Sequence, residues 1–160
     1  MKNKEINQEK AKEILRELSL PFPPNYIKQK PGGKGGSYVE HNVIRERLLM
    51  VAGFYEWSIV REIYDRDELG NKKLTGCVGQ LTIFIDGVPV TVEGSGDVEH
   101  DQGSNGSNLK HAESDSFKRA AINLSLALHL YSGDGFFLYN KLKENNKSYL
   151  GGAIDGEAGL

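Results

Sequence analysis

Cationic side chains recur at helical spacing in one stretch of this sequence. Lys110, Ser114 and Lys118 lie four residues apart, and Arg119 follows directly. Residues three and four positions apart share one face of an α-helix, so the spacing predicts two lysines on one side of a helix. Such cations can hold the phosphates of a nucleic acid without reading its bases. A solvent-exposed helix face carries the same pattern, and both interpretations stay open at this point.

The segment around these cations has the strongest helix signal in the chain. Ser107 or Asn108 can cap its start, and Gly133 can end it in a left-handed conformation. Apolar residues follow a 3.6-residue period in its first half, whereas residues 121–131 are apolar nearly all round. We therefore predict one helix over residues 107–133, with cations on its first half and burial of its second half.

The composition indicates one domain without disulfides. The chain has 160 residues, of which 38% are hydrophobic, and a formal net charge of −2. Its mildly acidic balance counts against a uniformly basic nucleic-acid binder but permits local clusters of Lys and Arg. Cys77 is the sole cysteine, so neither an internal disulfide nor a cysteine-based zinc site can form. We expect an intracellular, cytoplasmic protein, because the sequence shows no secretory signal and no membrane-spanning run.

The remaining patterns predict an α+β fold. The expected elements, in chain order, are a helix at 4–18, short strands at 26–30 and 37–40, a helix at 41–53, and strands at 57–66, 73–85 and 88–93, followed by the long helix. This is a hairpin plus a three-stranded antiparallel meander packed on a long helix, a β-β-β-α core. We predict an N-terminal helix within residues 1–20, a core domain at 21–142 and a flexible tail at 143–160. Within that core, the sequence Phe136-Phe137-Leu138-Tyr139 is expected to form a short helix or a strap over the core.

Two loops carry groups that could do chemistry. Four glycines surround Lys34 in a flexible, positively charged loop, which can form a plain hairpin turn or touch a nucleic-acid backbone. Its spacing does not fit a nucleotide-binding P-loop. Asp97, His100 and Asp101 lie in a glycine-rich acidic loop and could hold a metal ion in a nuclease, although such a histidine is more often simply hydrated.

Three local sequences, taken in order, resemble the Rad52 family of single-strand annealing proteins, including its phage and bacterial branch. The first is the glycine-rich loop followed by Tyr38-Val39-Glu40, a helix, Gly53 and an aromatic pair before Trp57. The second is Val92-Glu93-Gly94-Ser95-Gly96, and the third is Asp115-Ser116-Phe117-Lys118-Arg119-Ala120. The resemblance covers residues from about 27 to 139.

The resemblance implies a function in homologous recombination and DNA repair. Members bind single-stranded DNA in a groove around an oligomeric ring and anneal complementary strands without hydrolysing a nucleotide. It implies no enzyme activity, no cofactor and no metal, a homo-oligomeric ring or helical filament, and a single-strand-binding protein as a possible partner. By the same resemblance, Lys118 and Arg119 would contact the DNA backbone.

Two arginines of the family pattern are replaced here. Val43 and Ile122 occupy their positions. Other cations could supply the missing charge, and the candidate DNA contacts are Lys28, Lys30, Lys34, Arg45 and Arg47. Tyr26, Tyr38 and Tyr55 could stack on bases, although aromatic residues near strand ends more often belong to the core.

Three other functions compete with strand annealing. The glycine, lysine and alanine pattern of residues 106–128 also resembles the last helix of a double-stranded RNA-binding module. The acidic loop allows a metal-dependent nuclease. A structural assembly protein without a nucleic-acid role would predict an oligomer that ignores added DNA.

Overall fold

The computed structural model describes residues 5–30 and 36–132. Over these residues the helices are α1 (Gln8–Ser19), a 3-10 turn at Pro24–Tyr26, α2 (His41–Ala52), α3 (Asn105–Asn123) and α4 (His129–Ser132). The strands are β1 (Ile27–Gln29), β2 (Ser37–Val39), β3 (Tyr55–Arg66), β4 (Lys72–Ile85) and β5 (Val88–Asp97). The predicted α+β fold, with a two-stranded hairpin and a three-stranded meander, is confirmed.

The meander has the strand order β3-β4-β5, and both pairings are antiparallel. Asp86 and Gly87 connect β4 to β5, both with positive φ, at 53° and 78°. This is the geometry that matches the right-handed twist of paired strands in a two-residue hairpin. The central strand β4 is the most buried of the three and presents Leu81 and Ile83, both 0% exposed, to the core.

Helix α3 covers one face of this sheet. Its small residues Ala112, Ser116 and Ala120 lie against β5, where the partner residues are Gly94 and Gly96. A Cβ atom on Gly96 would come within 2.1 Å of the Ala112 carbonyl oxygen, so only glycine permits this approach. Strand β5 therefore continues to Asp97, four residues beyond the predicted end of the strand, because the glycines pair in the sheet.

Helices α1 and α2 complete the core beside α3. Leu18 of α1, together with Ile44 and Leu48 of α2, belongs to the same buried cluster as Phe117 of α3. Helix α2 matches its predicted bounds to within one residue. Met50, near the C-terminal end of this helix, is 80% exposed.

The long helix is shorter than the sequence predicts. It begins after Ser104, whose side chain accepts a hydrogen bond from the Ser107 backbone N–H, rather than at Ser107 or Asn108. It ends at Asn123, and the next five residues form turns in which Ser125 and Ala127 have φ of 72° and 55°. The first part of the apolar stretch is buried as predicted, with Leu126 at 0% exposed, but as a turn, whereas Leu128 and Leu130 are only partly buried.

Several predicted features lie outside the described residues. These are most of the glycine-rich loop with Lys34, the helix end at Gly133, the sequence Phe136-Phe137-Leu138-Tyr139 and the tail at 143–160. The predictions made for these residues are not tested by the structure.

Candidate nucleic-acid interface

Lys118 lies at a surface pocket between α3 and the start of α2. The pocket has a volume of about 430 Å³, and its other lining residues are Tyr38, Glu40, His41 and Asn42. The Lys118 side chain is partly exposed, and it forms no ion pair with any residue of the described ranges. The pocket therefore offers an ammonium group that is still available to an anion.

The acid of this pocket is already neutralised. Glu40 accepts a hydrogen bond of 2.6 Å from Lys28 Nζ, and this bond to the carboxylate raises the pKa of Lys28. The pair ties β1 to the residue that precedes α2. Lys28 thus contributes positive charge near the pocket, but that charge is matched by Glu40, whereas the charge of Lys118 is not matched by a carboxylate in the described part of the chain.

A stripe of polar side chains leads along α3 toward Lys118. Lys110 is exposed, and the Ser114 hydroxyl donates to the Lys110 carbonyl oxygen at 3.0 Å. Because all three residues lie within α3 at four-residue spacing, the predicted spacing does put both lysines on one side of the helix. The stripe faces away from the sheet, because the opposite side of α3 packs against the β5 glycines.

Arg119 points toward a different part of the surface. Its Nε donates to Asp115 at 2.9 Å, and Asp115 also accepts a bond of 3.4 Å from the Asp97 backbone N–H at the end of β5. One turn further on, Asn123 bonds to the Glu93 carbonyl oxygen of β5. Consecutive helical residues diverge by about 100°. Lys118 therefore faces the β2–α2 junction, whereas Arg119 lies on the β5 side.

Arg45 is partly buried and packs against the core. Its guanidinium carbon sits 3.9 Å from the centroid of the Phe117 ring, and its Nη2 lies 3.2 Å from Glu113. The same Glu113 oxygen accepts a 3.0 Å bond from Trp57 Nε1. Arg45 Nη1 also approaches the Tyr55 hydroxyl at 3.4 Å. This network joins α2, α3 and β3 beside the core.

Arg47 is likewise used within the fold. Its guanidinium group covers the Phe22 ring at 3.7 Å and donates to the carbonyl oxygens of Leu20 and Pro21. It therefore fixes the proline-rich segment after α1 on α2.

The other candidates divide between the hairpin and the core. Lys30 is exposed just after β1, and Lys34 lies outside the described residues. Tyr38 lines the Lys118 pocket and Tyr26 is 44% exposed, so both rings are accessible at the protein surface. Tyr55 packs against Phe117, with ring centroids 6.1 Å apart, which is the core position that such aromatic residues usually take.

The acidic loop is tied to the fold by its own hydrogen bonds. Asp101 pairs with Lys73 at 2.9 Å and accepts bonds from Asn108 and the Gly103 backbone, and the bond to Lys73 is the main reason that its pKa is lowered. Asn108 is 1% exposed and also bonds to Leu74 and Gln102. In the ranges 5–30 and 36–132, no three His, Cys, Asp or Glu side chains come together as metal ligands would.

Two groups of site residues were not predicted from the sequence. His41 and Asn42 line the Lys118 pocket, and Glu113 holds both Arg45 and Trp57. A signal for the first group was present, since His41 and Asn42 directly follow Tyr38-Val39-Glu40 and open a helix whose N-terminus attracts anions. Nothing in the local pattern marks Glu113, because its partners are 68 and 56 residues away in the chain.

Comparison with known proteins identifies the family. A model of the Rad52/22 family of double-strand break repair proteins matches residues 10–149, which is most of the chain. A search of curated proteins found no match. None of the described helices has the length and hydropathy that a membrane crossing requires. The matched range contains α3 with Lys118 as well as the β5 glycines. The chain therefore belongs to the Rad52/22 family, and its role lies in DNA strand annealing during recombination and repair.

Proposed function

We propose that this protein binds single-stranded DNA through the Lys118 pocket and the polar stripe of α3, and that it anneals complementary strands without hydrolysing ATP. The observation that carries this proposal is the Lys118 ammonium, unpaired within the described residues, at a pocket that borders the N-terminus of α2. The family membership supports DNA as the ligand.

The chemistry of the pocket favours a phosphate group. The N-cap residue of α2, Glu40, makes no side-chain bond to the first turn, so the first backbone N–H groups of this helix are not capped by that side chain. Such groups carry a partial positive charge, and together with Lys118 they attract an anion. Glu40 does not oppose this attraction strongly, because Lys28 neutralises it.

Contacts to phosphate suit the annealing of strands. They hold a strand by its backbone and leave the Watson–Crick edges of its bases free to find a complement. The side chain of Tyr38, which lines the pocket, could add stacking, which tolerates any sequence. Pairing itself then supplies the free energy of annealing, and no catalytic group is needed.

A single pocket of this size would hold DNA weakly, so the proposal includes an oligomer. Repetition of one modest site along a ring or filament multiplies the affinity, which lets a mildly acidic chain bind DNA well. The strands β3 and β5 are the two edges of the meander, and open edges of this kind can contact a neighbouring subunit. A single-strand-binding protein remains a candidate partner.

The test is an annealing assay with complementary oligonucleotides in the absence of ATP. We expect the double variant Lys118→Ala, Arg119→Ala to lose at least tenfold in annealing rate and in affinity for single-stranded DNA, while circular dichroism and assembly mass stay unchanged. Lys12→Ala is the matched control, since Lys12 is an exposed lysine on α1 that pairs with Glu9 in the same helix.

The proposal fails if the double variant anneals strands at the normal rate in low salt. It also fails if the purified protein prefers duplex RNA in a competition experiment. Mass photometry in the same buffers measures the oligomer and shows whether its size depends on DNA.

A further inference from the structure

An apolar groove lies between the end of α1, the proline-rich segment at 20–24 and α2. Its volume is about 360 Å³, and Leu20, Phe22 and Val51 are among the residues that line it. Two further lining residues are well exposed, Met50 at 80% and Tyr26 at 44%. An open apolar groove of this kind marks a binding surface, because exposed apolar patches are otherwise kept small.

The charges at the groove are mainly acidic. Its charged lining residues are Glu17, Glu46 and Arg47. Arg47 is engaged with Phe22 and with the carbonyl oxygens of Leu20 and Pro21. Glu46 is exposed and forms no ion pair within the described ranges. The fitting occupant is therefore apolar with a nearby positive charge.

The chain leaves the described structure next to this groove. His129, at the start of the short helix α4, lies with its ring centroid 6.2 Å from that of Phe22, a lining residue. Helix α4 ends at Ser132. The four steps from Ser132 to Phe136 span at most about 14 Å of extended chain. Residue 136 is thus within reach of the groove.

The sequence that follows has the complementary chemistry. It reads Phe136-Phe137-Leu138-Tyr139-Asn140-Lys141-Leu142-Lys143, which begins with four large apolar residues and ends with two lysines. We propose that residues 136–143 of the same chain dock in this groove, with the aromatic side chains against Phe22 and Met50 and the lysines toward Glu46. Helices α1 and α2 would then pack against the C-terminal part of the chain.

A disulfide-trapping experiment on the full-length protein tests this proposal. The test variant carries Met50→Cys and Phe137→Cys. The native Cys77 does not compete, because it is fully buried and burial raises the pKa of its thiol. The control variant combines Phe137→Cys with Leu69→Cys, since Leu69 is 87% exposed in the turn at the far end of β3. Disulfide formation is followed on non-reducing gels and assigned by peptide mass.

We expect the two cysteines introduced at positions 50 and 137 to form a disulfide within one chain at least tenfold faster than those of the control variant. Adding Glu46→Lys should slow this reaction several-fold. Disulfide dimers in place of the intrachain product would show that the segment of a second copy occupies the groove, and would overturn the proposal. A rate equal to that of the control variant, or no disulfide, would overturn it as well.

Discussion

Gly94 of β5 lies in backbone contact with Ala120 of α3. A Cβ atom on Gly94 would come within 2.3 Å of the Ala120 nitrogen and 2.4 Å of the Ser116 carbonyl oxygen. Ser116 donates its own hydroxyl hydrogen to the Gly94 carbonyl oxygen at 2.7 Å. The rotation and height of α3 on the sheet are fixed by this contact. Since Lys118 is two residues before Ala120, the same contact decides where its ammonium group points.

The substitution Gly94→Ala should therefore strongly destabilise the fold. The new methyl group would meet backbone atoms, which cannot move aside as a flexible side chain can, so we expect a loss of about 3 kcal/mol or more in the free energy of unfolding. Urea unfolding followed by circular dichroism measures it. Gly106→Ala is the control, because a Cβ at that helical position meets no atom within 4 Å apart from its chain neighbours and the adjacent backbone of its own helix, and alanine favours helix. Equal stability of the two variants would contradict the close contact.

Glu113 should be important for stability although it is only a partly buried residue. Glu113→Ala removes the partner of both Arg45 and Trp57 Nε1, and we expect a cost of about 2 kcal/mol. Glu113→Gln keeps an acceptor for the indole and should cost less, about 1 kcal/mol. Trp57 is the only tryptophan, so its fluorescence reports on this site directly. An unchanged emission spectrum in the alanine variant would show that the indole bond is absent.

The stability should depend on pH through His129. Burial, with a smaller contribution from nearby Arg47, lowers the pKa of His129 from 6.5 to about 4. Between these values the unfolded chain binds a proton that the folded chain does not, so stability is full above pH 6.5 and falls as the pH drops toward 4. Over the window from about pH 7 to 5 we expect a loss of about 1 to 2 kcal/mol.

Urea unfolding at about pH 7, 6 and 5, across the window in which this histidine titrates, measures the loss. The variant His129→Phe should show a flatter dependence over that range, even if its stability at neutral pH differs from that of the parent protein. The other histidines, His41, His100 and His111, are exposed. An identical slope in the parent and the variant would rule out His129 as the titrating group.

Lys118 and Arg119 should differ when they are changed one at a time. Lys118→Ala should weaken binding to single-stranded DNA and reduce the slope of log affinity against log salt by about 0.7, the value for one phosphate contact. Arg119→Ala should change binding less, because Arg119 is turned toward Asp115 and β5. Fluorescence anisotropy with a labelled oligonucleotide at several salt concentrations separates the two. Equal losses of affinity from both variants would show that the DNA contacts both sides of α3, the side of Lys118 and the side of Arg119.

Local patterns in the sequence were enough for the order and type of the elements. The Asp86-Gly87 turn and the period of α3 are each set by neighbours in the chain, and both are present in the structure. The family motifs were also readable, since they are short and ordered. The motifs did not show why Gly94 and Gly96 are glycines. These two residues allow close packing of β5 against α3, a helix about twenty residues further along the chain, and that contact exists only in the folded protein.

Tertiary contacts decided the rest. The sequence favoured an unbroken helix to residue 133, but the chain turns after Asn123, where Leu124 and Leu126 are buried and Ser125 takes a left-handed conformation. Helical propensity is worth only tenths of a kcal/mol per residue, and burial of leucines outweighs it. Likewise, the sequence shows that Arg45 is a cation, but only the fold places it between Phe117 and Glu113 and brings Lys118 to a surface pocket beside the start of α2.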